Sequence, residues 1–185
     1  MIEHDGFVVW MTGLPGSGKT TVALALEAEF KARGMRVERL DGDTIRQGLS
    51  SDLGFSKADR EQHIARVRFV AKLLSRNNVA VLASFISPYI AMREQVRDEV
   101  TNYIEVFVDA PLEVCIQRDP KGLYAKALAG EIDAFTGVSA PYEVPTMPDV
   151  HIRTHQETVG ESALQVLDYL ELNAHIPGAQ AYAGD

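Results

Sequence analysis

Gly13-Leu-Pro-Gly-Ser-Gly-Lys19-Thr20 is the stretch that decides how this chain folds. Its glycines allow backbone N–H groups to curl inward at the start of a helix, which is the pattern of a phosphate-binding loop. A short apolar run, Phe7–Thr12, precedes the loop, and a helical pattern over Thr20–Ala32 follows it. Strand, glycine loop and helix therefore occur in the order that such a loop requires.

The two polar residues that close this loop predict what it binds. The Lys19 ammonium can reach the β and γ phosphates of a nucleotide, and the Thr20 hydroxyl can ligate Mg²⁺. Because the motif falls between a predicted strand and a predicted helix, we interpret it as a nucleotide-binding loop and disfavour a plain glycine-rich turn.

Strands and helices alternate along the rest of the chain. Ser56 and Asp59 resemble a capping box that opens a long helix to about Arg76, and a last helix is predicted from about Glu161 to Leu172. The alternation predicts an α/β fold with a parallel sheet flanked by helices on both faces. The further predicted strands are Val37–Leu40, Val79–Ala83, Ile104–Val108 and Val150–Arg153.

The length of 185 residues fits one compact domain. We predict a single domain over residues 1–173 and a flexible tail over residues 174–185. Residues 119–148 interrupt the alternation with glycines, prolines and at most one short helix. A compact domain rarely holds so long an irregular stretch unless it works as a lid or a binding loop, so we predict a lid there.

Charge and composition exclude several classes of partner. The formal net charge of −8 disfavours an extended basic surface for nucleic acid or anionic lipid. The longest apolar stretches, Phe7–Met11 and Val79–Ile86, are far shorter than the roughly 20 residues of a membrane span. The first residues lack a secretory signal and the lone Cys115 has no partner for an internal disulfide, so we predict a cytoplasmic protein that binds neither nucleic acid nor membrane.

Two acidic residues help to choose among the reactions that phosphate loops serve. The guanine-reading motif Asn-Lys-x-Asp of GTPases is absent, and the strand at 79–83 does not end in the acidic residue of a motor ATPase. Asp41-Gly-Asp43 instead follows the second strand, at the carboxyl edge of the predicted sheet. One carboxylate can support a metal ion while the other accepts a proton from an attacking hydroxyl, as phosphoryl transfer requires.

Motifs outside the phosphate loop narrow the class further. They are Asp41-Gly-Asp-Thr-Ile-Arg46, Leu53-Gly-Phe-Ser56, Asp59-Arg60, Phe85-Ile-Ser-Pro-Tyr89, Arg118-Asp-Pro-Lys-Gly-Leu-Tyr124, Phe135-Thr-Gly137 and Pro141-Tyr-Glu-Val-Pro145. In order and spacing, over about residues 7 to 150, the chain resembles the adenylylsulfate kinases. Lys-Gly-Leu-Tyr together with Phe-Thr-Gly in a lid is the specific part of this resemblance.

The resemblance implies a fold, a reaction and a set of partners. The fold is that of the phosphate-loop (P-loop) kinases, and the reaction moves the ATP γ-phosphate onto the 3′-hydroxyl of adenosine 5′-phosphosulfate. The products are 3′-phosphoadenosine 5′-phosphosulfate and ADP, with Mg²⁺ as the cofactor. The resemblance also implies a homodimer, and a sulfate-adenylyltransferase domain as a separate or fused partner.

The candidate site residues, from the motifs and from the resemblance together, fall into four groups. The catalytic group is Lys19, Asp43, Ser87 and Lys121, and the Mg²⁺ group is Thr20 and Asp41. The ATP-binding group is Gly13, Leu14, Pro15, Gly16, Ser17, Gly18, Lys19, Thr20, Thr21 and Arg118. The acceptor-binding group is Asp43, Arg46, Phe55, Arg60, His63, Ile86, Ser87, Lys121, Phe135 and Thr136.

The side chains on the acceptor side suit different parts of that nucleotide. Arg46 and Arg60 can fork onto the phosphosulfate, while Phe55 and Phe135 can sandwich the adenine. Without the family match, two phenylalanines are core residues more often than a base platform. Lys121 can neutralise charge on the transferring phosphoryl group when the lid closes.

Ser87 has a structural and a functional interpretation. Followed by Pro88, it is a good N-cap with proline at the first helical position. The resemblance brings with it a phosphoserine role that has at times been credited to this position. Since no base stands beside Ser87 in the sequence, we favour direct in-line transfer with Ser87 as a positioning residue.

One segment departs from the family pattern. Most members read Asp-Arg-x-Glu-Asn-Ile-Arg-Arg, whereas this chain has His63 in place of the acceptor-contacting Asn and Ala65 in place of an Arg. His63 can still hydrogen-bond an acceptor, and if its positive charge matters, binding weakens as the pH rises through about 6.5. A related kinase with another nucleotide-like acceptor and a non-catalytic regulatory domain stay open as alternatives.

Overall fold

The structure is a computed structural model that describes residues 4–177. Five parallel strands form one sheet in the order β2-β3-β1-β4-β5, with helices on both faces, as the sequence predicts. The strands are β1 (Phe7–Thr12), β2 (Val37–Asp41), β3 (Ala80–Ser84), β4 (Tyr103–Asp109) and β5 (Val150–Arg153). The helices are α1 (Lys19–Ala32), α2 (Gly42–Gln47), α3 (Lys57–Ser75), α4 (Ile90–Glu99), α5 (Leu112–Arg118), α6 (Leu123–Leu128) and α7 (Val159–Leu172).

Strand β1 separates the core into two layers. All six of its residues are buried, as expected for a strand covered on both faces. Phe7, Val9 and Met11 pack with side chains of α1 and α7 on one face, whereas Val8 and Trp10 pack with side chains of α3 and α4 on the other. The alternation of side chains along the strand thus anchors β1 from both sides, which fixes the loop that follows it.

The order of the strands creates a crevice at the end of β1. This strand lies between β3 and β4, so successive connections leave it toward opposite halves of the sheet. Open α/β sheets bind ligands at such a switch point, outside the carboxyl ends of the strands. The phosphate loop, residues 13–20, lies at this point, as does the acidic segment that follows β2.

The predicted elements are confirmed, with small shifts at their ends. The capping box of Ser56 and Asp59 opens α3 as predicted. α7 begins two residues earlier than predicted, because Thr158 and Glu161 form a second capping box. The short helix α2 is not predicted, and it forms because the Asp41 carboxylate caps it by accepting a hydrogen bond from the Asp43 N–H at 3.1 Å.

The prediction that Ser87 caps a helix is wrong. α4 begins at Ile90, and its N-cap is Tyr89. Ser87 has φ of 37°, in the left-handed region, whereas an N-cap residue is extended. Its carbonyl oxygen accepts a hydrogen bond from Arg93 at 2.6 Å, which holds the chain in this turn before the helix starts.

The predicted lid and the predicted tail are described to different extents. Residues 119–148 hold one helix, α6, and their first part borders the crevice at the end of β1. Of the tail predicted over residues 174–185, Ile176 is 3% exposed and packs in the core with α7, whereas residues 178–185 lie outside the described residues. Within residues 4–177, no helix combines the length and apolar character of a membrane span.

Candidate active site

The phosphate loop is shaped by close contacts with its own backbone. The Lys19 ammonium donates hydrogen bonds to the carbonyl oxygens of Gly13 and Leu14 at 2.9 and 2.7 Å. Burial lowers the pKa of Lys19 to about 8. Gly13 passes so close to the Val108 carbonyl oxygen of β4 that a Cβ atom would collide with it, so this position requires glycine.

Thr20 and Asp41 lie together beside this loop. The Thr20 hydroxyl donates to the Asp41 Oδ2 atom at 3.0 Å, and a hydroxyl with a carboxylate is an oxygen pair that Mg²⁺ accepts. Among residues 4–177, no cluster of three His, Cys, Asp or Glu side chains could hold a metal ion. The pair therefore fits a Mg²⁺ ion that takes its other ligands from water and nucleotide phosphates, which is how this ion is usually bound.

Asp43 and Lys121 meet across the mouth of the crevice. The Lys121 ammonium, at the entrance to the lid, forms a salt bridge with Asp43 Oδ2, and both side chains are more than half exposed. The contact brings the predicted proton acceptor and the predicted lid cation to one place. It also links the lid to the segment that follows β2.

An aromatic and cationic wall faces the loop from the other side. Phe55 is 60% exposed, and the Arg46 guanidinium lies over its ring, 4.5 Å from the ring centre. Phe135 packs edge-on against Tyr124, with ring centres 5.0 Å apart. An exposed phenylalanine beside a cleft suits a base platform better than a core position.

Arg60 differs from its expected role. It is buried, and its guanidinium donates to the Phe55 carbonyl oxygen at 2.9 Å, to the Thr136 hydroxyl and to the Ala134 carbonyl oxygen. In this conformation the fork that we predict for the phosphosulfate therefore binds the protein itself. It ties the loop that carries Phe55 to the lid segment that carries Phe135.

His63 lies in the floor of the same cleft. It is 5% exposed, its ring packs edge-on against Phe85 at 5.5 Å, and its Nδ1 atom has no hydrogen-bond partner among residues 4–177. Burial, and then the charges of Arg46 and Arg66, lower its pKa to about 4. The imidazole is therefore neutral at physiological pH, so the expected loss of a positive charge near pH 6.5 does not take place at this residue.

Thr154 is a site residue that the sequence analysis does not predict. It follows β5, donates to the Ser17 carbonyl oxygen at 2.6 Å and accepts a hydrogen bond from Arg118 at 3.1 Å. It also packs on Gly18, whose φ of 103° starts α1 in the left-handed region. The only sequence signal for Thr154 is its position at the carboxyl end of a strand, which many polar residues share.

A cleft of about 870 Å³ brings almost all of the predicted site residues together. Gly13, Leu14 and Ser17 do not line it. Leu14 instead packs in a small core cluster under the lid. The predicted residues that line the cleft are Pro15, Gly16, Gly18, Lys19, Thr20, Thr21, Asp41, Asp43, Arg46, Phe55, Arg60, His63, Ile86, Ser87, Arg118, Lys121, Phe135 and Thr136.

A parallel sheet, a glycine loop at its switch point, a hydroxyl–carboxylate pair and a lid cation define a nucleotide-binding kinase of the phosphate-loop class. The family model described as "Adenylylsulphate kinase" matches residues 5–153. The chain belongs to the adenylylsulfate kinase family.

Individual relatives agree with this assignment. The chain is 66% identical over 167 residues to a probable adenylyl-sulfate kinase of Pseudomonas aeruginosa. The aligned region covers 90% of this chain and 78% of that protein. It is 56% identical over 176 residues to the adenylyl-sulfate kinase of Halothermothrix orenii, covering 95% of both. The structure of the Mycobacterium tuberculosis APS kinase CysC in complex with AMPPNP and APS superposes with a TM-score of 0.88 at 45% identity, covering 91% of this chain and 99% of that one.

Proposed function

We propose that this chain transfers the γ-phosphate of ATP to the 3′-hydroxyl of adenosine 5′-phosphosulfate, producing 3′-phosphoadenosine 5′-phosphosulfate and ADP. The observation that carries this proposal is one cleft that residues of the phosphate loop, Asp43 and exposed Phe55 line together. The similar structure of an APS kinase in complex with AMPPNP and APS supports the same pair of substrates.

The chemistry needs a proton acceptor, phosphate ligands and charge neutralisation. The acceptor's 3′-oxygen forms a bond with the γ-phosphorus while the bond from that phosphorus to the β,γ-bridging oxygen breaks, and Asp43 takes the hydroxyl proton. Lys19 leaves its carbonyl partners and binds the β and γ phosphates. Thr20 and Asp41 are the residues that would hold Mg²⁺, which supplies charge neutralisation on the phosphates when bound.

The Lys121–Asp43 salt bridge gives the lid a role in the phosphoryl-transfer reaction. A ligand that enters the cleft and reaches Asp43 has to displace Lys121 from the carboxylate. We propose that Lys121 then moves onto the transferring phosphoryl group, where developing negative charge attracts it. The ammonium thus exchanges one anionic partner for another as the lid closes.

The acceptor side is built for a nucleoside with an anionic tail. Phe55 and Phe135 offer their rings to the adenine, since stacking on aromatics needs no hydrogen-bond code. Arg46 is the cation that remains for the phosphosulfate, while Arg60 holds the two aromatic segments together. The homodimer, the sulfate-adenylyltransferase partner, the cytoplasmic location and the single domain over residues 1–173 stay predictions.

His63 favours one alternative, a related kinase with another nucleotide-like acceptor, because it departs from the Asn of the family pattern that the chain resembles. A coupled ADP-release assay across adenosine 5′-phosphosulfate, AMP and adenosine distinguishes the two functions. We expect adenosine 5′-phosphosulfate to give the highest kcat/KM. A higher value for AMP would overturn the proposed function, and absence of turnover with all three would favour the non-catalytic regulatory domain.

We predict that His63 binds the acceptor as a neutral imidazole. H63A should weaken the acceptor by about 1–3 kcal/mol through loss of one hydrogen bond, while H63N should keep activity. Titration of His63 should not alter the acceptor KM of the wild type between pH 6 and 8, because the pKa of His63, about 4, lies below this range. Michaelis constants of the three proteins across these pH values check this, and an acceptor KM unchanged in H63A would make His63 a bystander.

The same residue makes a prediction for stability. A buried histidine with a lowered pKa is protonated in the unfolded chain before it is protonated in the folded one. The free energy of unfolding should therefore fall as the pH drops from about 6.5 toward 4, by up to about 3 kcal/mol for this group. Urea titrations of wild type and H63N should show a smaller fall in H63N, whereas parallel curves would contradict the lowered pKa.

We predict that the lid, residues 119–148, exchanges its amide protons more slowly when both nucleotides are bound. Without ligand it is tied to the body by the exposed Lys121–Asp43 salt bridge and by hydrogen bonds from buried Arg60 and Arg93, and ligands add contacts to Lys121 and Phe135. Hydrogen exchange with and without ADP and acceptor measures this change, with α7 as an internal control. Exchange in the lid that is unaltered by both ligands would remove the lid assignment.

A further inference from the structure

The only tryptophan of the chain touches a residue of the candidate site. Trp10 lies in the middle of β1, is fully buried and stacks on Phe85 with ring centres 5.5 Å apart. Its indole N–H donates a hydrogen bond to the Ser87 hydroxyl at 3.1 Å. A residue of the central strand therefore reaches the cleft through Ser87.

The backbone of Ser87 is also held from outside the cleft. Its φ of 37° is rare for a residue with a side chain, and its carbonyl oxygen accepts from buried Arg93 at 2.6 Å. Arg93 donates a further hydrogen bond to the Glu143 carbonyl oxygen and forms an ion pair with Glu105 at 2.7 Å. Ser87 thus has little freedom to turn its side chain elsewhere.

The chemistry of the indole determines which group donates in the hydrogen bond between Trp10 and Ser87. An indole nitrogen is a donor only, so Ser87 Oγ is the acceptor of this bond and keeps its own proton. Among residues 4–177, no oxygen or nitrogen accepts that proton, although Ser87 is 2% exposed and lines the cleft. A bound hydroxyl that accepts one hydrogen bond also becomes a stronger donor.

We propose that Trp10 is a positioning residue that makes Ser87 a hydrogen-bond donor to an oxygen of the acceptor nucleotide. This inference rests on the proposed function. It also opposes a phosphoserine route, because that route needs a base for the Ser87 proton. The described residues place no base within hydrogen-bond distance of that proton.

A single tryptophan allows the N–H to be removed without a change of shape. Biosynthetic replacement of tryptophan by benzothienylalanine, in which sulfur takes the place of the indole N–H, alters Trp10 alone. We expect the acceptor KM to rise about fivefold while the ATP KM stays unchanged, since one neutral hydrogen bond is lost on the acceptor side. S87A, which removes the donor itself, should raise the acceptor KM about tenfold.

The decisive comparison is the same replacement in the S87A background. If Trp10 acts through Ser87, the replacement has no further effect there, because the group that it positions is gone. If Trp10 matters only for packing, the fivefold loss appears in both backgrounds, and the proposal is overturned. It is also overturned if the replacement leaves the acceptor KM of the otherwise unmodified protein unchanged.

Fluorescence supplies a readout that does not depend on turnover. The emission of Trp10 in the ligand-free protein should move to shorter wavelength in S87A, because the indole N–H loses its acceptor. Y103F is the matched control: the Tyr103 ring lies 6.3 Å from that of Trp10 and its hydroxyl has no hydrogen-bond partner in the described part of the chain, so neither the emission nor the acceptor KM should change.

Two outcomes separate this inference from the proposed function. Emission unaltered in S87A would overturn the Trp10–Ser87 contact even if the enzyme phosphorylates adenosine 5′-phosphosulfate. Absence of that activity with a shifted emission would overturn the proposed function while leaving the contact intact. Mass spectrometry after incubation with ATP should find no phosphate on Ser87, and its presence would overturn the donor role.

Discussion

Replacement of Lys19 by alanine is expected to abolish phosphoryl transfer, with a loss in kcat of at least about a thousandfold. Lys19 is the cation of the phosphate loop, and no other lysine or arginine of the loop can take its place. The fold should survive, because the ammonium bonds only to carbonyl oxygens and a hydroxyl of its own loop. Steady-state ADP release and a thermal unfolding curve measure the two expectations.

K31A is the matched control for this variant. Lys31 lies in the last turn of the same helix, α1, and pairs with Glu27 at an exposed position, so turnover should stay at the wild-type level.

ATP affinity of the wild type should also fall as the pH rises above about 8, where Lys19 in the free protein loses its charge. Wild-type turnover in K19A would contradict the assignment of the phosphate loop.

Replacement of Asp43 by asparagine is expected to lower kcat by about 100- to 10,000-fold with little change in the ATP KM. The amide has nearly the same shape as the carboxylate but cannot accept the hydroxyl proton, so the loss should fall on the transition state. The salt bridge to Lys121 is lost as well, which should make the lid exchange faster in the ligand-free protein. Rapid-quench measurement of a single turnover isolates the chemical step.

D98N is the control for this change of charge. Asp98 is an exposed residue of α4, on a helix that does not line the cleft, so its substitution should leave kcat unaltered. If D43N instead raised the ATP KM and kept kcat, Asp43 would be a ligand of the metal or nucleotide, and the proton acceptor would have to be sought elsewhere.

Strong local patterns made most of the fold predictable. Phe7–Met11 is apolar throughout, and Ser56 with Asp59 is a two-way capping signal, so both elements form as predicted. The prediction that Ser87 is an N-cap was wrong because a Ser-Pro pair is as favourable in the turn that occurs here as it is at the start of a helix. Ser87 contacts Trp10 of the central strand and Arg93 of the helix that follows, and the Ser-Pro pair alone does not encode those contacts.

The candidate site was predictable where topology alone brings residues together. The phosphate loop and Asp41-Gly-Asp43 follow parallel strands, so their meeting at one edge follows from the fold. What an individual side chain binds there depends on its neighbours in space. Arg60 is taken up by carbonyl oxygens of Phe55 and the lid, and Thr154 meets Arg118 only because β5 ends beside the loop.

Asp41 carries two duties in one carboxylate, and this restricts how the position can evolve. One oxygen caps α2, while the other accepts from Thr20 at 3.0 Å, where a metal ion would bind. Asparagine would preserve the cap but not the charge, and glutamate would preserve the charge but make a poor cap. Substitutions at this position are therefore constrained by two independent requirements, the cap of α2 and the negative charge beside Thr20. A single variant can test one of these roles only if it preserves the other.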